Sequence, residues 1–269
     1  MKSVTKEQYK QENKKALKIL VPITIAAGVF GGIIGVMASM HGAQGLAETF
    51  SKMLHQFLFI IGPWAVILSA LIGILGGLYM YKSAQKDYEK SLPMDEDDEI
   101  DEEVLTKIDQ KISQAILLNS MMMILSFMFY AIVVAYMERY IEESLVLLAV
   151  SFIAFIASMF GAGKIQQMLI DFTKVLYPQK NGSVYDIKFS EKWEESCDEL
   201  EKLMIYKAAY KAYKTTNMVC CICLVAMILL SFFFHYGPLP AMLVGVIWLV
   251  HMVAYYLEGM KLEKEKVNQ

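Results

Sequence analysis

The sequence predicts an all-α membrane protein with six transmembrane helices in three hairpins, joined by amphipathic cytoplasmic leads. Three observations predict it. Hydrophobic residues fill 56% of the 269 positions and mean hydropathy is +0.41, above the roughly 45–50% apolar share of soluble domains. The apolar residues gather in long stretches without charge, separated by segments rich in Lys and Glu. The basic residues alternate between connections, abundant in one and nearly absent from the next.

A helix crossing roughly 30 Å of hydrocarbon at 1.5 Å per residue needs about 20 apolar residues. Six stretches reach or approach that length: 19–40, 56–81, 115–137, 145–163, 218–234 and 239–257. Each is expected to be helical, because lipid offers backbone N–H and C=O groups no outside partner. The first has too long an apolar core and lysine-rich lead for a secretory signal, so it reads as a retained anchor. Pro22 and Pro63 fall near span ends, where they bend helices without marking a site. The fifth stretch is the shortest, and residues 215–217 extend it at the interface.

Orientation follows from the positive charges. The N-terminal lead, the connections 82–114 and 164–217 and the C-terminal tail together hold 23 of the 25 Lys and Arg, leaving only Lys52 and Arg139 elsewhere. Both termini and the two long connections are therefore expected in the cytoplasm, with 1–269 a single integral membrane domain. Arg139 is the sole arginine. A lysine surface suits anionic lipid headgroups, whereas nucleic-acid and phosphate clamps favour the bidentate arginine fork. No nucleic-acid partner is expected.

Small residues at four-residue steps let helices approach closely. Gly28 with Gly32, Gly31 with Gly35 and Gly73 with Gly77 have that spacing, for packing in the bundle or at a homodimer seam. Polar groups inside spans are the default functional candidates. They are few: Asn119, Ser120, Ser158 and His251, with no acid, lysine or arginine at mid-span. Eight acids in the nine positions 95–103 read as a solvated block suited to the start of a following helix. Cys197, Cys220, Cys221 and Cys223 read as packed, reduced thiols, with no disulfide scaffold. Glu142 and Glu143 with His235 and His251 lack the arginine an intramembrane protease motif expects. The run Gly161, Ala162, Gly163, Lys164 lacks the first glycine and the hydroxyl residue of a phosphate loop. No cofactor, metal or catalytic residue is assigned.

The richest segment is the third lead, 189–214. Phe189, Trp193, Cys197, Leu200 and Met204 recur at helical spacing. Tyr206, Tyr210 and Tyr213 follow beside Lys207, Lys211 and Lys214. Tyrosines favour the headgroup zone and lysines snorkel outward, so one amphipathic helix on the inner membrane face is expected. Trp193, Tyr206, Lys207, Tyr210, Lys211 and Lys214 would dock anionic lipid or a cytoplasmic partner.

This block, 185–214, carries a resemblance through Lys192, Trp193, Ser196, Cys197, Asp198, Glu199, Lys202, Tyr206 and Tyr210. With the six-span layout it resembles an uncharacterised family of bacterial membrane proteins, mainly from low-GC Gram-positive species, described only as a domain of unknown function. The resemblance implies a bacterial plasma-membrane location and transfers no substrate or catalytic residue. The leading expectation is a non-enzymatic accessory or permease-like subunit with a cytoplasmic docking face. The alternative is a small-solute transporter with a midplane site near Asn119 and His251. An intramembrane enzyme ranks last.

Overall fold

The protein is described here in a computed structural model, over residues 41–92, 100–234 and 237–267. In the N-terminal lead and the first apolar stretch it covers positions 13–15, 17–18, 21–22, 25–26, 28–29, 32–33 and 36, all helical. The described residues form helices and no strands. These are α1 (His41–Ser91), α2 (Glu102–Ala135), α3 (Met137–Glu143), α4 (Leu145–Leu176), α5 (Phe189–Glu195), α6 (Glu199–Phe234) and α7 (Leu239–Val267).

Five helices among the described residues are long and apolar enough to cross a bilayer: Glu48–Ser91, Glu102–Ala135, Leu145–Leu176, Glu199–Ser231 and Leu239–Leu262. Leu75, Phe160, Val246 and Leu249 are among the many large apolar side chains they leave exposed. Surface of that extent is not sustained in water, and the protein is membrane-embedded. Most of the predicted first span, 19–40, lies outside the described residues.

The helices outrun their predicted spans. At 1.5 Å per residue, the 51 residues of α1 extend about 76 Å. Residues 41–55, expected as an outer turn, belong to it. Apart from two glycines they are mostly helix formers without proline, so nothing ends the helix there. The second lead and third predicted span are one helix, α2. Its N-cap Asp101 accepts from the Glu103 N–H at 3.0 Å. α4 runs past Gly163 to Leu176 and ends where Pro178 follows.

The third lead is not the single helix expected. It breaks at Ser196, Cys197 and Asp198, because Asp198 starts a new helix. The Asp198 carboxylate accepts from the Glu201 N–H at 2.7 Å, and the Glu201 carboxylate accepts from the Asp198 N–H at 3.0 Å. This reciprocal capping box begins α6, which continues without proline through the fifth predicted span to Phe234.

The chain divides into two compact units, Leu54–Tyr206 and the pair of segments Met1–Met53 with Lys207–Gln269. In the first, α1, α2, α3 and α4 enclose two apolar clusters. One gathers Ala84, Ile108, Ile112, Ala115, Ile165, Leu169 and Phe172. The other gathers Phe59, Val66, Val133, Tyr140 and Phe155. Small residues stand where the helices close in. A Cβ on Gly76 would meet Leu118 at 2.8 Å, and one on Gly161 would meet Ile74 at 2.7 Å. Arg139 lies over the Phe59 ring at 3.8 Å and donates to Gln56 and Glu143.

Pro63 lies inside α1. Proline has no N–H for the carbonyl four residues back, here that of Phe59. The hydroxyl of Tyr140, fully buried, donates to that same carbonyl while its ring stacks on Phe59 at 4.4 Å. A helix defect that lipid could not satisfy is closed by a side chain from α3.

In the other unit, α6 meets α7 through polar and aromatic contacts. Trp248 donates to Asn217 at 2.9 Å, and the Tyr213 ring stacks on Tyr255 at 4.0 Å. Gly237, with φ of +75°, takes the left-handed turn before α7.

Candidate functional site

The most developed polar site lies at the lysine-rich end of the unit Leu54–Tyr206, where segment 177–206 folds back on α2 and α4. Pro178 stops α4, and a turn in which the Lys180 N–H donates to the Tyr177 carbonyl at 3.0 Å redirects the chain. Gly182 follows with φ of +118°. A Cβ there would also meet the Phe189 ring at 2.9 Å, so backbone and space both call for glycine. The Asn181 N–H then donates to Ser196 Oγ at 3.2 Å, tying the turn to the break before α6.

This route buries Lys180, only 5% exposed. Its Nζ donates to Glu201 Oε2 at 2.5 Å and to Cys197 Sγ at 3.2 Å, and stands 5.8 Å from the centre of the Trp193 ring. Lysine is rarely buried without such partners. Burial alone would lower its ammonium, but the bonds to Glu201 and Cys197 outweigh that and hold it above the ordinary lysine value. Beside it, Tyr177 Oη donates to Asp109 Oδ2 at 2.6 Å. Burial first, then that bond to a carboxylate, push the phenol well above its ordinary value, so Tyr177 stays a donor.

These groups line a cavity of about 350 Å³ whose other walls are mostly apolar, including Ile112, Ile116 and Ile170, with Ser113 and Thr173 among them. Polar side chains fill one part and branched apolar ones the other. A second hollow, of about 330 Å³, is lined by Glu191, Glu194, Glu195, Lys202 and Tyr206. Tyr206 donates to Glu194 there at 2.5 Å. On the outer side of α5, Lys192 pairs with Asp186 at 2.5 Å, and that bond holds the Asp186 carboxyl below the usual range.

The family model described as "Protein of unknown function (DUF3169)" matches residues 13–259, which include the whole of this site. The chain belongs to the DUF3169 family. No curated protein and no solved structure matches it.

In this DUF3169 protein the residues singled out from sequence fall in different places. Trp193 forms part of the cavity wall and Tyr206 part of the second hollow. Lys207, Tyr210, Lys211 and Lys214 continue along α6 in the other compact unit, exposed, with Lys214 Nζ 6.0 Å from the Tyr210 ring centre. Asn119 and His251 are in separate units. The Asn119 amide is buried and donates to the Ala162 carbonyl at 2.9 Å, bonding α2 to α4. His251 contacts the Tyr213 carbonyl at 3.4 Å and the Tyr213 ring. A Cβ on Gly73 would meet Met122 at 3.0 Å, and one on Gly77 would meet Ile165 at 3.0 Å. Gly28 and Gly32 meet nothing within 4 Å among the described residues, and Gly31 and Gly35 lie outside them. Sequence reasoning missed Asp109, Tyr177, Lys180 and Glu201. The one local signal was the spacing of Asp198 and Glu201, a helix-start signature inside what reads as one helix.

Proposed function

We propose that this protein is a non-enzymatic accessory or permease-like subunit of a bacterial plasma membrane, crossing it six times in three hairpins. Both termini lie in the cytoplasm, and the protein works through its inner face. The observation that carries this reading is that connection 164–217 is no slack loop. It holds the end of α4, bonded to α2 through Tyr177 and Asp109, a turn pinned by a buried lysine, and α5, whose Trp193 lines a cavity shared with α2. A connection of this length needs no such build merely to link two spans. The alternation of basic residues supports a cytoplasmic position for it.

Lys207, Lys211 and Lys214 supply the electrostatic part of the docking surface, and among the described residues none of them forms an ion pair. Converting all three to Glu is expected to abolish co-purification of a crosslinked partner from native membranes. Unfolding should stay within about 0.5 kcal/mol of the parent, as for exposed sites away from packing. A parent protein that crosslinks to no partner, or a triple variant that retains one, removes the docking reading. The transporter alternative rested on a shared midplane site for Asn119 and His251. It draws no support from an Asn119 amide already bonded to backbone.

A further inference from the structure

The geometry points to a covalent modification site at Lys180 and Cys197, where hydrogen peroxide installs a single oxygen atom between the lysine nitrogen and the cysteine sulfur. The two atoms are 3.2 Å apart, on residues 5% and 7% exposed. A buried ammonium ordinarily gathers strong oxygen acceptors, and a thiol is a weak one. Here the sulfur is nonetheless the second partner. Both atoms are also held from behind. Glu201 Oε2 stands 2.5 Å from Nζ; it keeps the ammonium charged at rest, and the reacting amine is the minor neutral form, its proton passing to solvent. The Trp193 carbonyl stands 3.2 Å from Sγ and accepts a hydrogen bond from the thiol. Lys180 and Cys197 line the same cavity of about 350 Å³, which gives a small oxidant a route to them.

The chemistry balances with two molecules of peroxide. The first converts the Cys197 thiol to a sulfenic acid, forming an S–O bond, breaking O–O and releasing water. The second converts the Lys180 amine to a hydroxylamine in the same way. The hydroxylamine oxygen then attacks the sulfenic sulfur, the S–OH bond breaks, and the hydroxide leaves as water with the hydroxylamine proton. Sulfur and nitrogen are oxidised, and peroxide is reduced to three waters in all. The linked nitrogen is no longer an ammonium, so Glu201 loses its cation. The turn at Lys180 becomes covalently joined to the break before α6. A later thiol attacks sulfur, breaks the S–O bond and leaves Lys180 as the hydroxylamine. The site is therefore an oxidant-responsive lock on connection 164–217, whether or not that connection docks a partner.

The test uses the full chain in native membranes, treated with hydrogen peroxide, proteolysed and weighed. Expected is a fragment joining the Lys180 and Cys197 segments, heavier than their sum by about 14 Da, the mass of one oxygen less two hydrogens. Dithiothreitol should separate it and leave one added oxygen on Lys180. Lys180→Arg retains a cation but no primary amine, and should yield no joined fragment. Cys197 found unmodified, or only as sulfinic or sulfonic acid, with Lys180 unlinked, overturns the proposal. A joined fragment of the same mass in Lys180→Arg overturns it too. The measurement on the unsubstituted chain decides alone if the variant does not fold.

Discussion

The two compact units stabilise themselves by different means. The unit Leu54–Tyr206 buries side chains in two clusters, with helices close enough that Gly76 and Gly161 have no room for a methyl group. In the segment Lys207–Gln269 of the other unit, the described apolar windows stay on the outside: none of that in Leu239–Leu262 is buried. Its described contacts are aromatic stacks and single hydrogen bonds on α6 and α7. A packed unit is held by its own shape, and substitutions there are felt as strain or cavities. The described part of α6 and α7 instead turns its apolar surface to what surrounds it, lipid foremost.

The sharpest way to break this contrast is a matched pair of glycine substitutions. Gly161→Leu drives a side chain into Ile74 and is expected to cost about 3 kcal/mol, the upper part of the overpacking range. Gly245→Leu in α7 meets nothing within 4 Å among the described residues and should stay within about 0.5 kcal/mol. Unfolding of both in neutral detergent measures the gap. A large loss at Gly245 would mean that its face is packed in the native membrane.

Next in size is Tyr140→Phe. It leaves the Phe59 carbonyl, already without its helical donor because of Pro63, buried and unpaired, at a cost of about 2 kcal/mol. Restoring the backbone donor with Pro63→Ala in the same chain should recover most of that loss. Absence of recovery would show that the hydroxyl is needed for another reason.

Lys180→Ala should cost about 1–2 kcal/mol. It removes charge-assisted bonds, but the partial exposure of Glu201 keeps the cost below that of breaking a fully buried pair. The smallest effect is in pH. The folded ammonium is held above its ordinary value, so its stabilisation is complete below about pH 10.4, the unfolded lysine value. It is lost as the pH rises through the higher folded value. The parent should therefore lose stability more steeply in alkali than Lys180→Ala does, and parallel curves would remove Lys180 as the cause.

The parts legible in the sequence are those set by one segment at a time. Charge-free length marks 56–81, 145–163, 218–234 and 239–257, each of which lies within a helix of the structure, and 115–137, whose last two positions run past the end of α2 at Ala135. The helix ends were less legible. Polar leads and apolar spans share one helical geometry, and within connection 164–217 it is Pro178 and the pair Asp198 and Glu201 that interrupt it. The candidate site was not legible because it is assembled from separate segments. Asp109 and Tyr177 are 68 positions apart, and Lys180 reads as one of many lysines until a turn brings it to Cys197. Asn119 shows the converse. Its polarity inside a span was legible, but that its amide bonds the Ala162 backbone was not.

One oxygen of Glu201 has a further consequence. Oε2 accepts from the Asp198 N–H at the start of α6 and from the Lys180 ammonium. Where α6 begins and where the 177–188 turn lies are thus a single variable. A Glu201→Gln change should loosen both at once, and its energetic effect should not add to that of Lys180→Ala. Anything that pulls on the turn pulls on the register of a 36-residue helix that runs on into the apolar stretch. Strain at the polar end has a mechanical path along that helix.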